Sequence, residues 1–295
     1  MMIRVVMAGA TGWVGKALVP AIGAQGDMAL AAAVSRSGAG QDSGLLVGLP
    51  ANGIIVAASL AEAMEVPSDV LVDYTKPHVV KDHALLAIEN GRHVVIGTSG
   101  LGAADFGEID AAARANHVGV VAAGNFSITA TLMKRFALMA AKYVPDVEVI
   151  DYASARKPDA PSGTARELAE ALADVRKAST ARPVSEVSGV PGTRGAAVGM
   201  GEGVQVHALR LPSYILSCEA LFGLPDERLT IRHDAGSSAA PYVAGTLLAI
   251  RRVQEITGLV RGLDALMDWS ELAGIGWEAL AQRRNFRSAT SEISP

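Results

Sequence analysis

Up to about residue 127 the chain alternates short apolar runs, rich in β-branched residues, with longer stretches whose apolar positions recur every third or fourth residue. The first run, residues 3–8, predicts a strand, and residues 16–24 predict a helix. Further strands are predicted at 30–34, 54–57, 70–74, 93–97 and 118–123. Helical segments fall between them at 60–64, at 79–90 closed by Gly91, and at 105–116. Strands and helices in this alternation imply a parallel sheet whose strand ends open on one crevice. The loops 75–77, 97–100 and 124–127 are expected to meet there.

Beyond residue 127 the pattern changes. One long helical pattern at 129–143 leads to a strand at 147–152, an extended loop, and a helix at 165–173. After glycine-rich segments at 188–195 and 199–203 come alternating strands at 204–209, 215–222 and 228–233, which predict a mostly antiparallel sheet. Residues 240–257 return to helix, expected to pack back on the first sheet, and the tail 269–295 is expected to start helical and end in a polar Ser/Thr stretch. The fold class predicted is therefore α/β: a Rossmann-type parallel-sheet domain (residues 1–126 and 239–295) plus an α+β domain with a mostly antiparallel sheet (127–238).

Composition narrows the function. Half of the 295 residues are hydrophobic, but much of that is alanine, and aromatic residues make up only 4%, which suits helices packed closely on a sheet. A formal net charge of -4 and the absence of a long basic run argue against nucleic acid as a partner. No uninterrupted apolar segment reaches the roughly 18 residues of a membrane span. The single cysteine, Cys218, excludes an intrachain disulfide and a multi-cysteine metal site; with no signal-peptide pattern at the start, a cytoplasmic protein is expected. His78, His83, His93 and His117 are scattered without metal-ligand spacing, so no metal site is predicted. His207 and His233 read as core or interface histidines.

Two motifs carry chemistry. In Gly9-Ala10-Thr11-Gly12-Trp13-Val14-Gly15, between strand and helix, the glycines allow a tight turn, close approach of a pyrophosphate and close helix packing. Arg36, flanked by Ser35 and Ser37 at the end of the next strand, suits a 2′-phosphate and points to NADPH, with NADH also possible. The second motif runs from Arg156 through Lys157-Pro158-Asp159-Ala160-Pro161-Ser162-Gly163-Thr164-Ala165. Prolines stiffen the loop, Ser162 to Thr164 open a helix whose free N–H groups attract an anion, and Lys157 adds an ammonium. A capped helix beside a solvated lysine fits the same pattern.

These segments, with Asp73 to Pro77, Ile96 to Gly100, Gly124 to Ser127 and Val190 to Thr193, resemble the dihydrodipicolinate reductase family of the lysine and diaminopimelate pathway, over nearly everything up to about residue 268. The resemblance implies hydride transfer from a reduced nicotinamide nucleotide to a cyclic, carboxylated imine or enamine. It places cofactor contacts at Gly9, Ala10, Thr11, Gly12, Trp13, Val14, Arg36, Thr75, Gly97, Thr98, Ser99, Ala123, Gly124, Asn125 and Phe126. Lys157 falls on the family's catalytic lysine, and Ser154, Ser162, Gly163 and Thr164 on substrate-binding positions. It makes residues 1–126 and 239–295 the dinucleotide-binding domain and 127–238 the substrate-binding and oligomerisation domain; the family is typically tetrameric and the antiparallel strands offer faces for pairing between subunits, so a homo-oligomer, tetramer or dimer, is expected. The departures are Ala153 and Ser154 where the family has two histidines, Ser217-Cys218 for a Glu-His pair, and Ser238 for an arginine. Tyr152 is a candidate replacement proton donor, although strand alternation could aim it away. Two alternatives stay open: a related amino acid dehydrogenase or imine reductase acting on another substrate, and a catalytically silent NADPH sensor or scaffold.

Overall fold

The computed structural model describes residues 2–190 and 192–268. By compactness the chain divides into residues 1–265 and residues 266–295. The tail predicted at 269–295 lies outside the described residues.

The chain opens with β1 (Ile3–Ala8), α1 (Gly15–Gly23), β2 (Met28–Val34), α2 (Ser43–Leu46), α3 (Leu60–Met64), β3 (Val70–Asp73), α4 (Pro77–Glu89), β4 (His93–Ile96), α5 (Ala103–Ala115) and β5 (Gly119–Ala122). Next come α6 (Ile128–Ala141), β6 (Asp146–Ala153), α7 (Gly163–Val175), β7 (Ala196–Val198), β8 (Val204–Arg210), β9 (Leu216–Leu224), β10 (Glu227–Ala235), α8 (Ala240–Arg252) and β11 (Gly258–Arg261).

Six strands form one parallel sheet in the order β11-β5-β4-β3-β1-β2. Its central strands are apolar on both faces because helices cover both: Val5, Val6, Met7, Ala8, Val70, Leu71 and Val72 are wholly buried. The strand order reverses between β1 and β3, so the crevice at their C-terminal ends is the place for a ligand in such a sheet. Gly9 ends β1 with φ +84°, and a Cβ there would lie 2.6 Å from the carbonyl oxygen of Tyr74, just after β3. Only glycine allows the two loops to touch.

The second sheet runs β10-β9-β6-β8-β7, antiparallel except for the β6–β8 pair. Val147 and Val149 of β6 and Val204 and Val206 of β8 pack against Met133 and Ala137 of α6 and Leu168 and Leu172 of α7. Helix α8 lies beside the first sheet, where the Tyr74 and Thr246 hydroxyls are 2.8 Å apart and Arg251 pairs with Asp27 at 2.7 Å.

Two of the predicted elements differ from those observed. Residues 54–57 make only isolated bridges, Ile55 to Asp42 and Ala57 to Val34. The Asp42 carboxylate caps α2 and also accepts the N–H groups of Asn52 and Gly53, folding that run into a loop. The helix predicted to reach residue 257 stops at Arg252; after a short 3-10 turn the chain enters β11 on the edge of the parallel sheet beside β5, a strand the pattern did not announce. Among the described residues no helix is long and apolar enough to cross a membrane.

Candidate active site

The motif around Lys157 is built on Asp151, a fully buried carboxylate near the end of β6. Its oxygens accept from the Ser162 N–H and the Ser162 hydroxyl, both at 2.7 Å, and from Arg210 at 2.8 Å. Arg210 also donates to the Asp159 carbonyl, holding the loop between them. The anchored Ser162 hydroxyl accepts the Ala165 N–H and so starts α7 as its N-cap. The first N–H groups of α7, at Gly163 and Thr164, have no carbonyl within their own helix, which makes this entrance receptive to an anion. Lys157 reaches the same place, with its Nζ 2.6 Å from Asp159 Oδ1.

The entrance of α7 faces the loops of the parallel sheet. A Cβ on Gly163 would sit 3.6 Å from Ser99 Cβ and 3.7 Å from the Gly124 carbonyl oxygen. Asn125 donates to the Thr164 hydroxyl at 3.0 Å, and the Gly124 N–H donates to Glu167 of α7 at 2.8 Å. Glu167 is in turn paired with Lys134, which also pairs with Asp264. Burial opposes the Lys134 charge, but the two carboxylates outweigh it and raise its pKa.

The resulting cleft, about 180 Å³, gathers Trp13, Val14, Gly97, Ser99, Gly124, Asn125, Phe126, Lys157, Ser162, Gly163 and Thr164, together with Tyr74, Leu216 and Tyr242. No motif in the sequence singles out Tyr74, Leu216 or Tyr242 for this cleft. Tyr242 comes from α8 and meets Trp13 edge-on, ring centroids 5.6 Å apart, a contact with no local signal. Burial drives the Tyr74 phenol pKa up, so it stays neutral.

The remaining candidates lie outside that cleft. Thr98 and Ala123 line a neighbouring one that shares Ser99, Gly124 and Gly163. Ala10 is buried, and Gly9 and Gly12 form the turn before α1. The Thr11 hydroxyl meets those of Ser35 and Ser37 beside the exposed Arg36, a polar cluster at the tip of β2. Thr75 hangs on the Asp73 carboxylate. Ser154 is turned into its own loop, its hydroxyl accepting the Arg156 N–H.

Tyr152 does not face the cleft. Its hydroxyl donates to Glu219 at 3.1 Å and Arg232 stacks on its ring; burial, then Glu219, raises its pKa. Cys218 is buried, and burial pushes its thiol up to about 12. His207 pairs with Glu148 at 2.7 Å, and His233 is buried against the Ser127 hydroxyl.

The glycine turn passes a steric test for a dinucleotide. A Cβ on Gly15 would lie 2.1 Å from the Gly9 carbonyl oxygen, so the helix start is pressed against the turn as a phosphate cradle requires. With the crevice at the strand-order reversal and a carboxylate-receptive helix entrance opposite, fold and site define an oxidoreductase that uses a nicotinamide nucleotide.

Residues 3–126 match the family described as "Dihydrodipicolinate reductase, N-terminus", and residues 129–267 match "Dihydrodipicolinate reductase, C-terminus". The chain belongs to the dihydrodipicolinate reductase family. It is 39% identical over 268 residues to the 4-hydroxy-tetrahydrodipicolinate reductase of Desulfitobacterium hafniense (strain DSM 10664 / DCB-2), covering 90% of this chain and 99% of that one. The same-named protein of Moorella thermoacetica is also 39% identical, over 269 residues, 90% of this chain and 98% of its own. Among solved structures, dihydrodipicolinate reductase from Paenisporosarcina sp. TG-14, with dipicolinate bound, superposes with a TM-score of 0.73 at 34% identity, covering 90% of this chain and all of that one.

Proposed function

We propose that this protein is an NADPH-dependent reductase of a cyclic imine or enamine carrying a ring carboxylate, as in 4-hydroxy-tetrahydrodipicolinate reduction in the lysine and diaminopimelate pathway. The observation that carries the reading is the meeting of Lys157 and the α7 entrance with Ser99, Gly124 and Asn125 in one cleft. The relatives' name and the dipicolinate in the neighbouring structure support the substrate class.

Gly9 to Val14, Thr75, Gly97 to Ser99 and Ala123 to Phe126 would hold the cofactor. Arg36 would take a 2′-phosphate, its guanidinium matching the anion's geometry. When bound, the reduced nicotinamide supplies a hydride. Gly163 and Thr164 hold the substrate carboxylate on their N–H groups, with the Ser162 cap between them and Asp151. The Lys157 ammonium delivers the proton that balances hydride addition, and its charge stabilises the anion that forms. Residues 127–238 supply this substrate side.

A shifted, less charged substrate is a second reading, favoured by the apolar and aromatic wall of Trp13, Phe126, Leu216 and Tyr242. A cytoplasmic homo-oligomer, dimer or tetramer, belongs to the same proposal: β10 is an edge strand with exposed Leu229, a surface suited to pairing.

The test is an absorbance assay of reduced nicotinamide, with NADPH and then NADH, on freshly generated 4-hydroxy-tetrahydrodipicolinate. Oxidation lost in Lys157→Ala supports the proposal. Tight NADPH binding without turnover refutes this substrate and directs attention to other cyclic imines.

A further inference from the structure

Asp73 ends β3 at the strand-order reversal, wholly buried. One carboxylate oxygen, Oδ1, receives three donors: the Thr75 N–H at 2.8 Å, the Thr75 hydroxyl at 2.6 Å and the Thr98 hydroxyl at 3.2 Å. The other, Oδ2, lies 2.7 Å from Nδ1 of His83 on α4, a ring only partly exposed. Asp73 therefore joins two loops, after β3 and after β4, to one helix. Neither Asp73 nor His83 touches the cleft around Lys157.

The consequence is one of hydrogen-bond polarity. A hydroxyl has a single proton. Thr75 and Thr98 both spend theirs on Asp73, so toward a ligand each hydroxyl offers only lone pairs. Thr98 lines the cleft that shares Ser99, Gly124 and Gly163 with the Lys157 site. Thr75 follows Tyr74, whose carbonyl packs against Gly9 of the glycine turn.

We propose that Asp73, pinned by His83, is a positioning residue that fixes the Thr75 and Thr98 hydroxyls as acceptors for a hydrogen-bond donor on the nicotinamide-nucleoside half of the cofactor. That half carries donors of two kinds, the carboxamide N–H and the ribose O–H. The inference rests on the nicotinamide reading of the crevice.

The test is equilibrium binding by calorimetry of three probes: NADPH, 2′-phospho-ADP-ribose, which lacks the nicotinamide, and 2′-phospho-ADP, which lacks the nicotinamide ribose as well. Thr75→Val and Thr98→Val remove the acceptors at nearly constant shape and are expected to weaken NADPH about 5- to 10-fold each, the loss of one hydrogen bond, while 2′-phospho-ADP is unchanged. Thr75→Ser should restore binding. If 2′-phospho-ADP-ribose weakens together with NADPH, the donor is a ribose hydroxyl; if NADPH alone weakens, it is the carboxamide. In an Asp73→Ala background, Thr75→Val should add little, because the hydroxyl has already lost its fixed direction.

Equal weakening of all three probes, or of none, overturns the proposal. Full additivity of Asp73→Ala and Thr75→Val overturns the positioning role. Should Asp73→Ala not fold, the two valine variants decide alone. A wild-type protein that binds neither NADPH nor NADH would sink the nicotinamide reading and this inference with it.

Discussion

The Lys157 ammonium lies 2.6 Å from the Asp159 carboxylate, two residues along the same loop. The group proposed to donate the proton therefore reaches the cleft already paired. Asp159 is the more exposed partner, with 42% of its side chain accessible, so the pair is worth at most about 1 kcal/mol. Asp159→Asn should change kcat/KM less than about fivefold by that argument. Lys157→Ala should lower kcat by a factor of about 10²–10⁴, the usual cost of losing a positioned acid. Steady-state kinetics of both variants checks the contrast; equal losses would move the proton-donor role away from Lys157.

Arg36 stands exposed at the tip of β2 beside the Thr11, Ser35 and Ser37 hydroxyls. A charge-assisted contact to a 2′-phosphate contributes about 1.5–3 kcal/mol. Arg36→Ala should therefore raise the KM for NADPH about 10-fold or more and leave that for NADH nearly unchanged. A matched rise for both cofactors would remove Arg36 from the phosphate site.

The pH dependence of stability follows from half-buried His93, whose Nδ1 accepts the Gly119 N–H at 2.9 Å and whose pKa is lowered from 6.5 by desolvation. Burial lowers that of His233 in the same way. Well above pH 6.5 both rings are neutral folded or unfolded, and pH has no effect through them. As pH falls through 6.5 the unfolded chain takes up protons that the folded chain refuses, so stability declines. Thermal melting should be flat from pH 7 to 8 and fall below about 6.5, before carboxylates titrate. His93→Gln should shallow that slope, as differential scanning calorimetry would show.

Cys218 is buried on β9 with its thiol held near 12, so almost no thiolate is present at neutral pH. Ellman's reagent should find no reactive thiol in the native protein and one per chain after denaturation. Fast labelling of the native state would mean that β9 opens locally or that the thiol is accessible.

Much of the fold could be read from the chain because its signals are local. Five of the six parallel strands announce themselves as apolar runs, since helices cover both faces and the middle positions of each strand are buried. The sixth, β11, is Gly-Leu-Val-Arg at an edge, partly exposed, and carries no such run. Residues 54–57 carry the run but not the strand, because Asp42 ties the preceding turn into a loop. The entrance at Ser162 was legible for the same local reason as any N-cap, a serine followed by a helix-forming stretch.

Periodicity, capping and the backbone limits of glycine and proline set the class of each layer, the glycine turn and the stiffened loop bearing Lys157 locally, within the chain itself. Which groups meet was left to the packing of distant segments. It turned Tyr152 to Glu219, brought Tyr242 to Trp13 and Thr246 to Tyr74, and set Thr75, Thr98 and His83 on Asp73. Those contacts depend on strand register and helix placement across the chain, and a single residue's shift in a strand would turn each side chain to the opposite face.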